Sequence, residues 1–214
     1  MATRFYLPTT GSAPHTLPAI ADGGWEQDNA GTVARTMYTT KQNSALTTFS
    51  YVFGATSTGQ TRYYAWFSEK LAPQLITGNY DLVVGKCAET SLSGDAHLAV
   101  RLRTVTNNGV AKGSLVSVMT SGTEFALIAS AATRIRSGAV TSARVNEGDR
   151  LVLEIGIHGI TPANEIMEMR FGDPTATGDF ALTSGLTTDL CPWFELSHNI
   201  EWLDGLGMAP WFWA

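Results

Sequence analysis

Few side chains in this sequence have the type and spacing that chemistry needs. Paired carboxylates come first, because a glycosidase needs only two of them at a fixed separation. The candidate pairs are Glu165 with Glu168 and Glu195 with Glu201. On a strand, Glu165 and Glu168 point to opposite faces, so they are not expected to converge. The run Asp173-Pro174-Thr175-Ala176-Thr177-Gly178-Asp179 repeats oxygen-bearing side chains at alternate positions with a glycine sixth, as the first half of a calcium loop does. Threonines stand where acids or amides are expected, however, and Ser184 takes the place of the bidentate glutamate, so an ordinary surface turn is expected. His15, His97, His158 and His198 form no pair at metal-ligand spacing and no HExxH. His97 alternates with Arg101 on a polar strand face and is expected to meet solvent. Gly54 to Gly59 has the glycines of a phosphate loop without its lysine and reads as a turn, and no Gly-x-Ser-x-Gly elbow occurs. Cys87 and Cys191, far apart and outside any cluster, read as buried free thiols. These residues lead to the expectation of a non-enzymatic chain with no catalytic residue, metal or cofactor.

The elements around those residues read as strands. Of 214 residues, 44% are hydrophobic and 15% charged, enough apolar surface for a core in one domain. Apolar side chains recur mainly at period two among Thr, Val, Ser, Tyr and Phe. Tyr63 to Ser68 puts Tyr64 and Trp66 on one face and Tyr63, Ala65 and Phe67 on the other. Asn79 to Cys87 follows a Thr77-Gly78 turn. In Ala96 to Val105, Ala96, Leu98, Val100 and Leu102 share one face and His97, Arg101 and Arg103 the other, the pattern of a half-buried antiparallel strand. Ser114 to Thr120 reads as a further strand. Ala139 to Val145 and Arg150 to Ile157, joined by Asn146-Glu147-Gly148-Asp149, read as a hairpin. Ile166 to Phe171 and Trp193 to Ile200 follow, with a short helix placed within Glu124 to Ala132. About seven or eight strands separated by turns predict an all-β, antiparallel, jelly-roll-like β-sandwich.

Both ends differ from this middle. Residues 1–31 carry Pro8, Pro14 and Pro18 with isolated Phe5, Tyr6, Leu7 and Trp25, which predicts an extended N-terminal arm that docks through those large side chains. Residues 32–201 are assigned to the sandwich. Residues 202–214 form an aromatic tail in which Trp202, Trp211, Phe212 and Trp213 either fold back or insert into a partner subunit.

A net charge of −5 argues against a nucleic-acid partner, whose affinity comes from neutralising phosphates. No apolar run approaches the roughly 18 residues of a membrane span. Met1 leads into polar, proline-punctuated sequence, so a secretory leader is not expected. Charge is segregated along the chain. Arg101, Arg103, Lys112, Arg134, Arg136, Arg144 and Arg150 face few acids, whereas Arg170 is the lone base between Glu154 and Asp204. Either opposite patches join copies head to tail, or neighbouring strands neutralise one another within the subunit.

Several segments, in one order along nearly the whole chain, resemble a family of virion proteins of tailed bacteriophages. They are Thr3-Arg4-Phe5-Tyr6-Leu7-Pro8 with Ala13-Pro14, Pro18 and Gly24-Trp25-Glu26; Gly148-Asp149-Arg150-Leu151-Val152-Leu153-Glu154-Ile155-Gly156; Phe171-Gly172-Asp173; and Thr188-Asp189-Leu190-Cys191-Pro192-Trp193-Phe194-Glu195-Leu196-Ser197. The resemblance implies a structural protein of the virion, made in the host cytoplasm. Its partners would be other virion proteins, either the major capsid protein or tail proteins. It also implies a homo-oligomer, a trimer being common among phage decoration proteins. A capsid decoration (cement) subunit is the first expectation, and a tail, neck or baseplate component the second. A carbohydrate-binding module, using Tyr63, Tyr64, Trp66 and Trp25 as a platform, is the alternative of a different class.

Overall fold

The computed structural model describes residues 1–16, 25–27, 34–53, 60–92, 95–118, 122–159, 165–183 and 189–203. Its elements are nearly all strands, as the period-two pattern predicts. The first sheet contains β1 (Thr3–Tyr6), β4 (Thr47–Phe53), β7 (Asn79–Glu89), β10 (Ala126–Leu127), β11 (Ala132–Ala139), β14 (Glu165–Phe171) and β15 (Trp193–Leu196). Its path runs β1-β15-β7-β14-β4, with β10 and β11 on the other side of β7. The second sheet contains β2 (Trp25–Gln27), β3 (Ala34–Thr36), β5 (Gln60–Phe67), β8 (Ala96–Val105), β9 (Ala111–Val118) and β13 (Arg150–Gly159), in the order β2-β5-β13-β8-β9 with β3 also on β5. A small ribbon pairs β6 (Gln74–Ile76) with β12 (Ala143–Val145). Pairing is antiparallel except for β2 and β3 on β5 and β10 on β7.

The two sheets enclose one core, in which Leu82, Val84, Leu98, Val100, Leu102, Leu153, Ile155, Met167, Met169 and Phe171 meet. The inward sets alternate along each strand, as period two requires. The long β7 ties both halves of the first sheet together by changing partners. Residues Tyr80 to Val83 face β15, and Gly85 to Glu89 face β14. The change falls at Val84, and just beyond it the register against β14 shifts between Gly85 and Ala88, where Lys86 has a φ of +49°. Gly85 beside it makes room for the Phe180 ring, which would lie 2.5 Å from a Cβ.

The structure corrects or refines three sequence expectations. Ala139 to Val145 and Arg150 to Ile157 do not form a hairpin: β12 pairs with β6, while β13 pairs with β5 and β8. Asn146 to Asp149 is a turn, closed by Asp149 N–H donating to Asn146 O at 3.1 Å, but it passes the chain from the ribbon to the second sheet. The short helix within Glu124 to Ala132 is two residues of strand and one turn of 3-10 helix, Ile128–Ser130. The N-terminal segment, expected as an extended arm that docks through its large side chains, opens as β1 and docks on its own subunit, paired with β15 from Thr3↔Leu196 to Tyr6↔Trp193. β1 and β2 therefore belong to the same two sheets as the rest, and Phe5 and Leu7 find their apolar environment within their own subunit.

Beyond β1 the chain crosses to the outer face of the second sheet. Pro8 O accepts the Trp66 Nε1–H at 3.0 Å, Ala13 packs with Ala34, Phe67, Ala99, Val105 and Val152, and the His15 ring lies edge-on to Phe67. Gly172 sits where the first sheet passes this crossing. Its φ is +129°, and a Cβ there would lie 2.3 Å from Ala45 O. Gly172→Ala should cost about 2 kcal/mol or more, since both the backbone conformation and the close approach exclude a side chain. Chemical denaturation checks this, and an unchanged midpoint would contradict it.

Candidate functional site

The carboxylates singled out by spacing do not converge. Glu165 points into the sandwich and is buried, while Glu168, on the other face of β14, meets Lys86 at 3.3 Å and Ser50 Oγ at 3.0 Å. Glu195 accepts from Arg4 Nε at 2.9 Å, and Glu201 lies beside Gln74, to which its N–H donates at 3.0 Å.

The calcium-like loop is a turn held by the protein's own donors. Asp173 is buried; its Oδ1 accepts from Ser44 N at 2.9 Å and Ser44 Oγ at 2.5 Å, and its Oδ2 from Gln42 N at 2.9 Å. Asp179 is taken by Lys41 at 2.7 Å, Arg4 at 3.1 Å and the Tyr6 hydroxyl at 2.9 Å. Burial alone would raise the Asp179 pKa, but donation from Lys41, Tyr6 and Arg4 outweighs it and holds the carboxyl below its ordinary value. The same contacts raise Tyr6, by burial first and then by its bond to Asp179. Among the described residues no group of three His, Cys, Asp or Glu side chains is arranged to hold a metal ion.

The face of β8 expected to meet water is instead covered. His97, 9% exposed, is buried with Arg101 and Arg103, and β13 places Glu154 directly opposite Arg101. Glu154 is fully buried and ion-pairs with Arg103, with Arg101 Nε at 3.8 Å. Arg101 also donates to Ser114 Oγ at 3.3 Å. Lys112 pairs with Asp149. Arg134 and Arg136 donate to backbone carbonyls, of Glu124 and of Leu98 respectively. The basic middle and acidic end of the sequence thus neutralise each other across neighbouring strands at Glu154. That lateral neutralisation is what allows a face carrying Arg and His to be buried. His97 Nε2 contacts Asp95 Oδ1 at 2.8 Å and sits opposite His158. Burial first, and His97 next, lower the His158 pKa.

Sequence reasoning passed over Glu89. It is fully buried at the end of β7, facing inward, with Ala96 N donating to Oε2 at 3.3 Å and no partner found for Oε1. Glu124 and Glu165 are its acidic neighbours. Burial, opposed by the Ala96 N–H and reinforced by those two carboxyls, pushes Glu89 up to about 8. The signal was available only in space, because these three residues come from separate parts of the chain.

The side chains expected to bind partners divide into four groups. Phe5 and Leu7 are core residues, a correction forced by the pairing of β1 with β15. Phe5 packs on Phe194 and lies edge-on to Trp202 at 5.9 Å. Phe5→Ala should therefore destabilise the isolated chain by about 3–5 kcal/mol, read as a shift in the urea midpoint; a loss below about 1 kcal/mol would contradict its place in the core. Tyr6 is half-buried in the Asp179 network. Trp202 folds back, bridging to Leu71, so it belongs to the sandwich. Trp25 lies on β2 with its side chain outside the description, and Trp211, Phe212 and Trp213 lie outside the described residues. Of the carbohydrate-platform residues, Trp66 is buried and hydrogen-bonded to Pro8 O, and Tyr64 packs against Phe49 with ring centroids 4.3 Å apart.

Cys87 and Cys191 are both buried free thiols. Burial pushes Cys87 up to about 12, the environment of an unreactive thiol. Open grooves of about 260, 320 and 360 Å³ lie over Gly11 to Thr16, between β9 and β11, and beside Lys86 and Arg170. No helix among the described residues is long and apolar enough to cross a membrane.

No family model matches the chain, and no curated protein matches it. Among solved structures, a CocE/NonD family hydrolase from Staphylococcus aureus aligns over 87% of this chain and 34% of that chain, at 10% identity and a TM-score of 0.26. The chain spans about a third of that hydrolase's length, and a likeness this slight carries no argument about activity.

Proposed function

We propose that this chain is a non-enzymatic structural subunit of a tailed-phage virion, and first of all a capsid decoration subunit that stabilises the head by binding neighbouring subunits. The observation that carries the reading is the ordered set of segments from Thr3 to Ser197 that resembles phage virion proteins. Those segments coincide with the ties of the fold. Phe5 and Phe194 are core neighbours, Asp149 closes a turn, Gly172 and Asp173 hold the crossing at Ser44, and Glu154 neutralises the outer face of the second sheet. A second support is how the described charges are used. Arg4, Lys41, Lys112, Asp173, Asp179 and Glu154 are engaged inside the subunit, which suits a scaffold held by neighbours.

Quantitative mass spectrometry of purified particles, with heads and tails separated, tests the reading. Copies in the hundreds travelling with heads are expected for a decoration subunit. A few dozen copies or fewer travelling with tails would move it to the tail, neck or baseplate, and absence from both fractions would overturn the virion reading.

A further inference from the structure

The rims of the two sheets are unequally protected. A strand at a sheet edge offers a row of unpaired N–H and C=O groups, and proteins usually blunt such edges with charge, proline, glycine or irregular register. β1 carries Arg4, β11 carries Arg134 and Arg136, and β2 carries Glu26. β9 carries Lys112 and Gly113 and is bent by two register shifts against β8. β4 has none of these devices. Its sequence, Thr47-Thr48-Phe49-Ser50-Tyr51-Val52-Phe53, contains no charge, proline or glycine. It pairs with β14 over its whole length without a shift, and no described strand follows it in the sheet.

The exposed face beside this edge has an apolar end next to the charged contacts that Glu168 makes with Ser50 and Lys86. Val52 is 55% exposed, and its register partner on β14, Ile166, is 38% exposed. Seven uncharged residues, six of them of high β-propensity, on an edge are an association site by composition.

The sequence of β4 also indicates what covers it. Folded about Ser50, it is close to palindromic in side-chain class. An antiparallel pair with a second copy sets Thr48 opposite Val52 and Phe49 opposite Tyr51 of the other copy, with Ser50 opposite its own equivalent. Those are β-branched pairs on the outer face and aromatic pairs on the inner face, the combinations that stabilise neighbouring strands. β4 itself brings no charge to the axis, and Glu168, which accepts from Ser50 beside it, is already paired with Lys86. We propose that β4 is a self-association edge, through which two copies join by antiparallel β4–β4 pairing about a two-fold axis at Ser50. The two first sheets then run on as one, and the interface is isologous, closing at two copies instead of growing into a fibre. The inference concerns the isolated protein and does not rest on the virion reading; a dimer with no place in a particle would leave it standing.

Sedimentation velocity of the full chain at micromolar concentrations should show a monomer–dimer equilibrium. The Ser50→Lys/Val52→Lys double variant places like charges along the joined edges and should raise the dissociation constant at least about tenfold with an unchanged far-UV spectrum. Cysteine variants fix the register. Opposed residues in an antiparallel pair lie about 4.5–5.5 Å apart at Cα, within disulfide reach. Ser50→Cys alone should therefore form a disulfide dimer under mild oxidation. Thr48→Cys alone should not, while a mixture of Thr48→Cys and Val52→Cys should. A chain that stays monomeric and gives no Ser50→Cys dimer would overturn the proposal, as would a dimer indifferent to the lysine variant.

Discussion

Replacing Glu154 with alanine is expected to destabilise the protein by about 3–5 kcal/mol, the cost of leaving buried cations without their carboxylate. Glu154 has no exposed surface, lies opposite Arg101 in register, and ion-pairs with Arg103, itself almost completely buried. Removing the carboxylate leaves two guanidinium groups on a covered face, where water cannot replace the lost partner. The effect is asymmetric. Replacing Glu154, Arg101 and Arg103 together by apolar residues of similar volume should cost far less than Glu154→Ala alone, because desolvation of the charges disappears with them. Urea denaturation with a shared m-value separates the cases. A loss below about 1 kcal/mol in Glu154→Ala would mean that the cluster is open to water and contributes little.

A second large effect follows from Glu89. Its folded pKa of about 8 lies above the ordinary 4.5, so the folded chain retains a proton that the unfolded chain has already released. The associated stability is fully present below about 4.5 and is lost progressively as pH rises to about 8. The groups facing it are Glu124, from the segment before β10, and Glu165 on β14, both acidic. The nearby cation Arg134 on β11 donates to the Glu124 carbonyl and not to Glu89. Glu89→Gln keeps the shape and removes the titration. It should leave stability at pH 4 nearly unchanged and raise it above pH 8, by on the order of 3 kcal/mol. Thermal or urea unfolding of both proteins across this range measures the difference. Parallel pH profiles for the two would show that Glu89 does not hold the extra proton.

Much of the strand framework was legible in local sequence, and particular failures show why the rest was not. Asn79 to Cys87, Ala96 to Val105 and Ile166 to Phe171 are strands because period-two alternation of Val, Leu and Met is a local property that survives folding. Partner choice is not local. Ala139 to Val145 and Arg150 to Ile157 carry hairpin turn residues between them, yet β12 and β13 join different sheets. β4 was missed because Thr47 to Phe53 mixes polar and aromatic residues without a marked turn before it. The N-terminal segment, full of proline and isolated aromatics, gave no sign that Phe5 meets Phe194 and Trp202 at the other end of the chain.

The candidate residues follow the same division. Glu165 and Glu168 were expected on opposite faces of a strand, and the structure places them so, since alternation fixes direction within one strand. Whether a polar face meets water depends on what lies beside and above it. His97, Arg101 and Arg103 looked like a solvated face until β13 brought Glu154 against them. By itself the sequence determined an all-β chain, the facing of most side chains within their strands, and the lack of local catalytic motifs. Only the tertiary structure decided which strands are neighbours, which charges are buried together, and which strands end their sheets among the described residues. Those properties depend on pairs of residues far apart in the chain, and period and propensity report on neighbours a few positions away.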